Sequence, residues 1–203
     1  MNGSTDVRAE RTVRAGNRRD AQREATKARL FDEAVQEFRR TGFADTEIAV
    51  ITERVGVSRG AFYVHFAGKD DVLRELLRRE ERRIAREVRP MVEADVALVE
   101  VLHTIADAVF KAERRLGRRL IRELCAAQFR PEFVAGHGQA EHPVVQVLVE
   151  AVGARSAAVD AAELATVYLT GLFGLLATGE GSQLQRRRHL DLLAELIANG
   201  ARG

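Results

Sequence analysis

GVSRGAFYVHFAGKDDVLRELL, residues 56–77, holds a turn, a short helix and the opening of a longer one within 22 positions. Gly56 supplies the backbone freedom of a tight turn, and Ser58 is placed to cap the helix that follows. That helix, Arg59 to about Phe66, carries Phe62 and Phe66 one turn apart on its buried side and leaves Arg59, Gly60, Ala61, Tyr63 and His65 facing outward. Upstream, Thr46 is placed as the N-cap of a short helix with Ile48, Ile51 and Val55 inward. Before it, Leu30, Phe31, Ala34, Val35 and Phe38 line one face of a helix of about 18 residues that ends at Gly42. The second and third of these helices, joined by Gly56, Val57 and Ser58, have the length and turn of a helix-turn-helix, whose second helix lies in the DNA major groove.

The side chains fit that use. A helix entering the groove needs small residues where its backbone comes close, which suits Gly60 and Ala61, and polar groups at its flanks to grip phosphates, which suits Ser58, Tyr63 and His65. The guanidinium of Arg59 can span the two acceptors of a guanine edge or bind a phosphate, and both uses stay open. Lys69, at the start of a fourth helix, adds a point charge where free amides already favour an anion and reads as a phosphate clamp.

Together with TGFADTEIAVITERV at 41–55, this stretch resembles the amino-terminal domain of the TetR family of bacterial transcriptional repressors. The resemblance runs from Lys27 to Leu77 and rests on Gly-Val-Ser, then Phe-Tyr-x-His-Phe, then Lys followed by an acid and Leu. Thr52 stands where the family usually has Ala, Glu47 where a second Ser or Thr is common, and Val50 where an acid is frequent. The resemblance implies DNA-contacting roles for Thr46, Ser58, Tyr63, His65 and Lys69. It also implies a helical carboxy-terminal domain with a small-molecule cavity, a homodimer formed by the last two helices, and release from a near-palindromic operator when the ligand reorients the connecting helix.

Composition agrees with an all-α fold of about nine helices. Only three prolines interrupt 203 residues, aromatic residues make up 5%, and there is no Trp, which disfavours a β-sandwich or barrel. One cysteine, Cys125, can form neither an internal disulfide nor a Cys-rich zinc site. No run approaches the length of a membrane span and no secretory signal opens the chain, so no membrane partner and a cytoplasmic location are expected. Residues 1–23 carry six Arg and three acids, a balance of +3 in a chain whose net charge is +2. Residues 1–22 therefore read as a basic arm without structure of its own, able to lie along a polyanion or simply to stay solvated. The DNA-binding domain is expected over 23–69, and the larger helical effector-binding and dimerisation domain over 70–203.

In that larger domain, the fourth helix has Val72, Leu73, Leu76 and Leu77 inward, a charged middle (Arg78 to Arg83) expected to be solvated, and an apolar stripe again up to Pro90. Helical periods recur over 94–112, 116–129, 143–152, 160–178 and 184–198, while RPEFVAGHGQAEHP reads as a loop. His137, Glu141 and His142 in that loop lack a fixed spacing, so no metal is expected. The last two helices are apolar on more than one side, which predicts a two-fold interface through Leu164, Leu172, Leu175, Leu190, Leu193 and Ile197, or else a deep core within one chain. Polar or aromatic residues among aliphatics suggest a ligand lining of His103, Asp107, Phe110, Cys125, Gln128, Phe129, Phe133 and Tyr168.

No phosphate-cradling, dinucleotide, zinc-protease or nucleophile-elbow motif occurs, and Cys125 has no evident His base, so neither an enzyme nor a cofactor is expected. The expected function is a dimeric repressor of a double-stranded DNA operator, answering to a small-molecule effector. The alternative is an effector-independent dimeric DNA-binding protein or an activator.

Overall fold

Helix α1 runs from Ser4 to Thr41 in the computed structural model, which describes the backbone of residues 4–135, 142–154, 160–178 and 181–201, and side chains within those ranges from Arg18 onward. The helix starts well before the apolar period predicts, reaching through residues expected to form an unstructured arm. Residues 4–29 contain no Pro and are rich in Ala and Arg, so backbone propensity extends what packing begins. The apolar residues of α1 pack as their spacing predicts, with Leu30, Phe31, Ala34, Val35 and Phe38 all buried. Gly42, at φ +95°, ends the helix by donating its N–H to the Phe38 carbonyl at 3.0 Å.

Every other regular element among the described residues is also an α-helix: α2 (Ile48–Val55), α3 (Arg59–His65), α4 (Lys69–Glu93), α5 (Leu98–Leu116), α6 (Arg118–Ala127), α7 (Pro131–Ala135), α8 (Pro143–Gly153), α9 (Ala161–Thr178) and α10 (Gln183–Gly200). The chain divides into two compact units at the Val72–Leu73 bond, within α4.

In the first unit, α2 and α3 meet through Gly56, which is left-handed at φ +75° and followed by a Val57 N–H bonded to the Thr52 carbonyl. Ser58 caps α3 as expected, its Oγ accepting from the Ala61 N–H at 3.2 Å, and Phe62 and Phe66 are buried. Thr46 is not the N-cap of α2. That position belongs to Glu47, which makes no side-chain cap, whereas Thr46 is buried, with Oγ1 donating to the Gly42 carbonyl at 2.7 Å and lying 3.1 Å from the Thr41 hydroxyl. Thr52 fits a site usually occupied by Ala because its buried hydroxyl donates back to the carbonyls of Ile48 and Ala49. Two polar links hold α1 to α2: Arg29 donates to the Val55 carbonyl at 2.5 Å, and Arg54 pairs with Glu33 at 3.1 Å and with the buried Glu37 at 2.9 Å.

The second unit departs from expectation in four places. Glu80 and Glu81, in the supposedly wet middle of α4, are buried, because a turn of α4 faces other helices while Arg82 and Arg83 point to solvent. Pro90 lies inside α4 rather than after it, tolerable so near the end because it removes a single ladder donor. The expected loop after Arg130 begins with α7, anchored by the fully buried Phe133, over whose ring the guanidinium carbons of Arg74 and Arg130 lie at 5.3 and 5.4 Å from the centroid. Finally, α9 is long and apolar enough to cross a membrane, with mean hydropathy 1.4 over 18 residues. It packs on α6, α8 and α10, but only 28% of it is buried.

The ammonium of Lys69 donates to the carbonyls of Phe43, Ala44 and Thr46 at 2.8–2.9 Å, tying the start of α4 to the α1–α2 connection. Replacing Lys69→Met is expected to cost about 2 kcal/mol of stability by leaving those carbonyls without their charged donor, measured by urea unfolding of the full chain. A midpoint equal to that of the parent would contradict this role.

Candidate nucleic-acid interface and cavity

The seven residues of α3 are too few to be a stable helix alone, and the burial of Phe62 sets which side is left outside. Arg59, Gly60, Tyr63 and Val64 are exposed on that side, with Ser58 at its start, and Ala61 and His65 are half-buried at its edges. The Arg59 side chain makes no hydrogen bond or ion pair among the described residues. A Cβ added to Gly60 would meet only the Ser58 Oγ, at an ordinary 3.7 Å. Internal packing therefore gives no reason for glycine, which costs about 1 kcal/mol relative to Ala within a helix.

His65 faces Arg23 and Lys27 of α1 across a depression also lined by Asp20, Glu24 and Val64. Its imidazole is held below the ordinary histidine range, first by partial burial and then by the positive field of Arg23 and Lys27, with Glu24 opposing. Thr46 and Lys69 stand apart from this surface. Both spend their donors on the α1–α2 connection, so in place of a phosphate clamp Lys69 is a group that positions the loop. Sequence reading missed Val64, whose place one turn after Gly60 was the available signal. It also missed Arg23 and Lys27, which only the packing of α1 brings beside α3.

Within the second unit lies a cavity with about 50 Å³ open to the centre of a water molecule. Its walls are mostly aliphatic side chains of α4, α5, α6, α8 and α9, among them Ile84, Ile105, Ile121 and Leu172, joined by the aromatic Phe173 of α9, and its charged residues are Glu80 and Glu81 of α4. Of the expected lining only Cys125 is there, its thiol pushed up to about 12 chiefly by burial and so kept protonated.

The other expected lining residues have duties elsewhere. The buried Tyr168 hydroxyl donates to the Leu102 carbonyl at 2.7 Å, Phe133 anchors α7, and Phe129 is exposed. The Gln128 amide reaches the Leu124 carbonyl, and His103 Nε2 lies 3.8 Å from Asp191. Asp107, paired with Arg187, and Phe110 border a separate open depression. Polar and aromatic residues stand out in a sequence because they have partners to find, whereas the cavity is walled mainly by aliphatics indistinguishable from core, with Phe173 its one aromatic among the described residues. Of the loop residues weighed and set aside as metal ligands, His137 and Glu141 lie outside the described residues, and no metal-binding group of three or more occurs among the described ones.

The expected interface on α9 and α10 is partly interior. Leu172, Leu190 and Ile197 are buried within one chain, while Leu164, Leu175 and Leu193 are half-buried. The cause is close packing at Gly171, where an added Cβ would come within 2.9 Å of Leu193. The apolar residues left outside are Val167, Leu184, Leu192 and Leu196. Another interior pair, unforeseen from sequence, joins buried Arg186 of α10 to Glu113 of α5 through two bonds of 2.6 and 2.8 Å.

Residues 30–76 match the family model described as bacterial regulatory proteins, tetR family. The helix-turn-helix region is thus similar to the amino-terminal domain of the TetR family. Among curated relatives, the HTH-type transcriptional regulator SrpR of Pseudomonas putida is 30% identical over 95 residues, 47% of this chain and 45% of that regulator, so the match spans about half of each. Two solved structures share the fold of nearly the whole chain. The Thermus thermophilus TetR-family repressor FadR, in complex with lauroyl-CoA, superposes with a TM-score of 0.67 at 19% identity, covering 86% of this chain and 94% of that one. SmeT, the repressor of the Stenotrophomonas maltophilia multidrug efflux pump SmeDEF, gives 0.59 at 18%, covering 86% and 89%. Helix-turn-helix and all-helical second unit are thus the TetR architecture.

One ionic link at the cavity wall titrates. His142, at the N-cap of α8, holds Nδ1 at 3.1 and 3.2 Å from the two carboxylate oxygens of Glu81. That hydrogen bond raises the imidazole above the ordinary histidine value, against partial burial and the nearby Arg78. A raised folded value means that the stabilisation is complete below the unfolded value and is lost as pH rises through the folded one. The difference in thermal midpoint between the parent and His142→Ala is therefore expected to be larger at about pH 6 than at about pH 9. A difference independent of pH would contradict the ion pair.

Proposed function

We propose that this chain is a cytoplasmic, homodimeric transcriptional repressor, without catalytic activity, that binds a near-palindromic double-stranded DNA operator through α3 and is released by a small-molecule effector held in the cavity of the second unit. The observation that carries the DNA-binding reading is the outward face of α3: an arginine free to reach a base edge or phosphate, beside a glycine that internal packing does not require. Backbone can approach a groove closely at Gly60, with Ser58, Tyr63 and His65 placed for phosphates and Ala61 and Val64 for apolar contact with a base edge. Arg23 and Lys27 extend the positive surface onto α1.

The exposed Val167, Leu192 and Leu196 support a seam between two copies of α9 and α10, flanked by the half-buried Leu164, Leu175 and Leu193. Two copies then present two recognition helices about one DNA turn apart. The effector reading rests on the cavity and on α4, whose residues belong to both units. A ligand that widens the cavity must displace α4 side chains, and it releases DNA only by binding the DNA-incompetent conformation more tightly. The smallness of the cavity favours a second reading, a DNA-binding regulator without an effector, because ligand pockets usually measure several hundred Å³.

Two experiments test this function. Selection from random duplexes is expected to enrich a near-palindrome. Gly60→Ala should then raise the stability of the chain by about 0.5–1 kcal/mol while weakening binding to the selected duplex roughly tenfold, because the added methyl fits the fold and not the groove. Unaltered affinity would sink the role given to Gly60. Leu192→Glu combined with Leu196→Glu is expected to yield monomers in analytical ultracentrifugation, with poor duplex affinity. Persistent dimers would place the seam elsewhere, and sedimentation of the parent only with detergent or lipid would assign the apolar α9 surface to a membrane.

A further inference from the structure

Between Arg18 and Ala25 every residue of α1 is exposed, so no packing within the chain accounts for this stretch of helix. Its charges do not account for it either. Over residues 6–24, four of the five charged pairs spaced i, i+4 are of like sign: Asp6 with Glu10, Arg14 with Arg18, Arg19 with Arg23, and Asp20 with Glu24. Like charges one turn apart repel on a helix surface. The repulsion arises because the two signs are kept apart. Helical register places positions 8, 11, 14 and 18, all Arg, on one side of α1, and positions 6, 10, 20 and 24, all acids, on the other. A segregation that weakens the free helix is relieved when a polyanion neutralises the basic side.

What α1 adjoins says which polyanion. Further along the same helix, Arg23 and Lys27 line a depression with Val64 and His65 of α3, next to the outward face of that helix. From Arg8 to Arg23 the rod is about 22 Å long, comparable with about six base pairs of duplex. We infer that the leading turns of α1 are a second DNA-binding element, whose basic side holds phosphates of the duplex flanking each half-site without reading sequence. This rests on the reading of α3 as the recognition helix. The acidic side, turned from the duplex, keeps the element from adding a larger net charge to the chain.

The test uses the full chain and the duplex obtained by selection, prepared with and without flanks of about ten base pairs. In fluorescence anisotropy, Arg8→Gln, Arg11→Gln, Arg14→Gln and Arg18→Gln combined are expected to weaken binding of the flanked duplex at least tenfold. The slope of log affinity against log salt should flatten by about 3 or more, roughly 0.9 for each phosphate released. Discrimination between the selected and a scrambled core should stay within about twofold, because phosphate contacts carry no sequence information. Removing the flanks should weaken the parent and not the variant. Lys at the same four positions should keep the affinity within about threefold, since the charge is retained. Gln at Arg86, Arg114, Arg122 and Arg188, all exposed in the second unit, removes as much charge and should also change affinity less than about threefold. Gln variants at positions 8–18 that bind as the parent does, a parent indifferent to the flanks, loss with Lys, or an equal loss from the second-unit variant would overturn the inference and leave α3 as the reading helix. Binding to phosphatidylglycerol vesicles that the four Gln changes abolish, with duplex affinity unaltered, would assign the basic side to a membrane surface instead. A parent that binds no duplex would overturn both readings.

Discussion

Seven residues cannot hold themselves as a helix in water, so α3 exists only because Phe62 and Phe66 are buried against the rest of the first unit. Burying one such aromatic is worth about 1.5–3 kcal/mol, enough to decide the matter for so short a segment. The same anchoring turns Arg59, Gly60, Tyr63 and Val64 outward together. The fold and the outward face of α3 are therefore two consequences of a single packing event, and the Ser58 cap and the left-handed Gly56 set how the helix is delivered to it.

Helix α4 joins three kinds of work along one rod. Its first residue, Lys69, satisfies the carbonyls of Phe43, Ala44 and Thr46 within the first unit. Its middle carries Glu75, bound to Arg78 at 3.2 Å and Arg79 at 2.9 Å and held below the ordinary carboxylate range by those bonds despite its burial. One turn later Glu80 and Glu81 face the cavity. Charge along this helix is not uniform decoration: Arg82 and Arg83 stay wet, while neighbouring acids are taken inside and matched with cations of α5 and α8. A charge that is costly to bury persists where it is paired.

Local pattern was enough to foresee much of this protein. The spacing from Leu30 to Phe38 placed the buried face of α1, Gly42 and Gly56 marked the ends of α1 and α2, and the Ser58 cap followed from residue type, since each signal is carried within one or two helical turns. The resemblance over Lys27–Leu77 pointed to the architecture that the wider fold comparison bears out. Where local signals were ambiguous the reading failed. Thr46 has the chemistry of an N-cap and serves instead in a buried loop, and Lys69 has the chemistry of a phosphate ligand and spends its donors on backbone.

The all-helical class, the helix-turn-helix and the side of α3 that faces outward were determined by sequence alone, because periodicity and turn chemistry act over a few residues. Tertiary structure decided which apolar positions of α9 and α10 stay exposed, since Gly171 and Leu193 set how closely the two helices approach. It also decided that the cavity is lined mainly by aliphatic residues and Phe173 rather than by the aromatics and histidines singled out in the sequence, and that Glu80 and Glu81 are buried. Burial of a charge depends on what other helices bring to it, and no spacing along one helix records the arrival of Arg115 or His142.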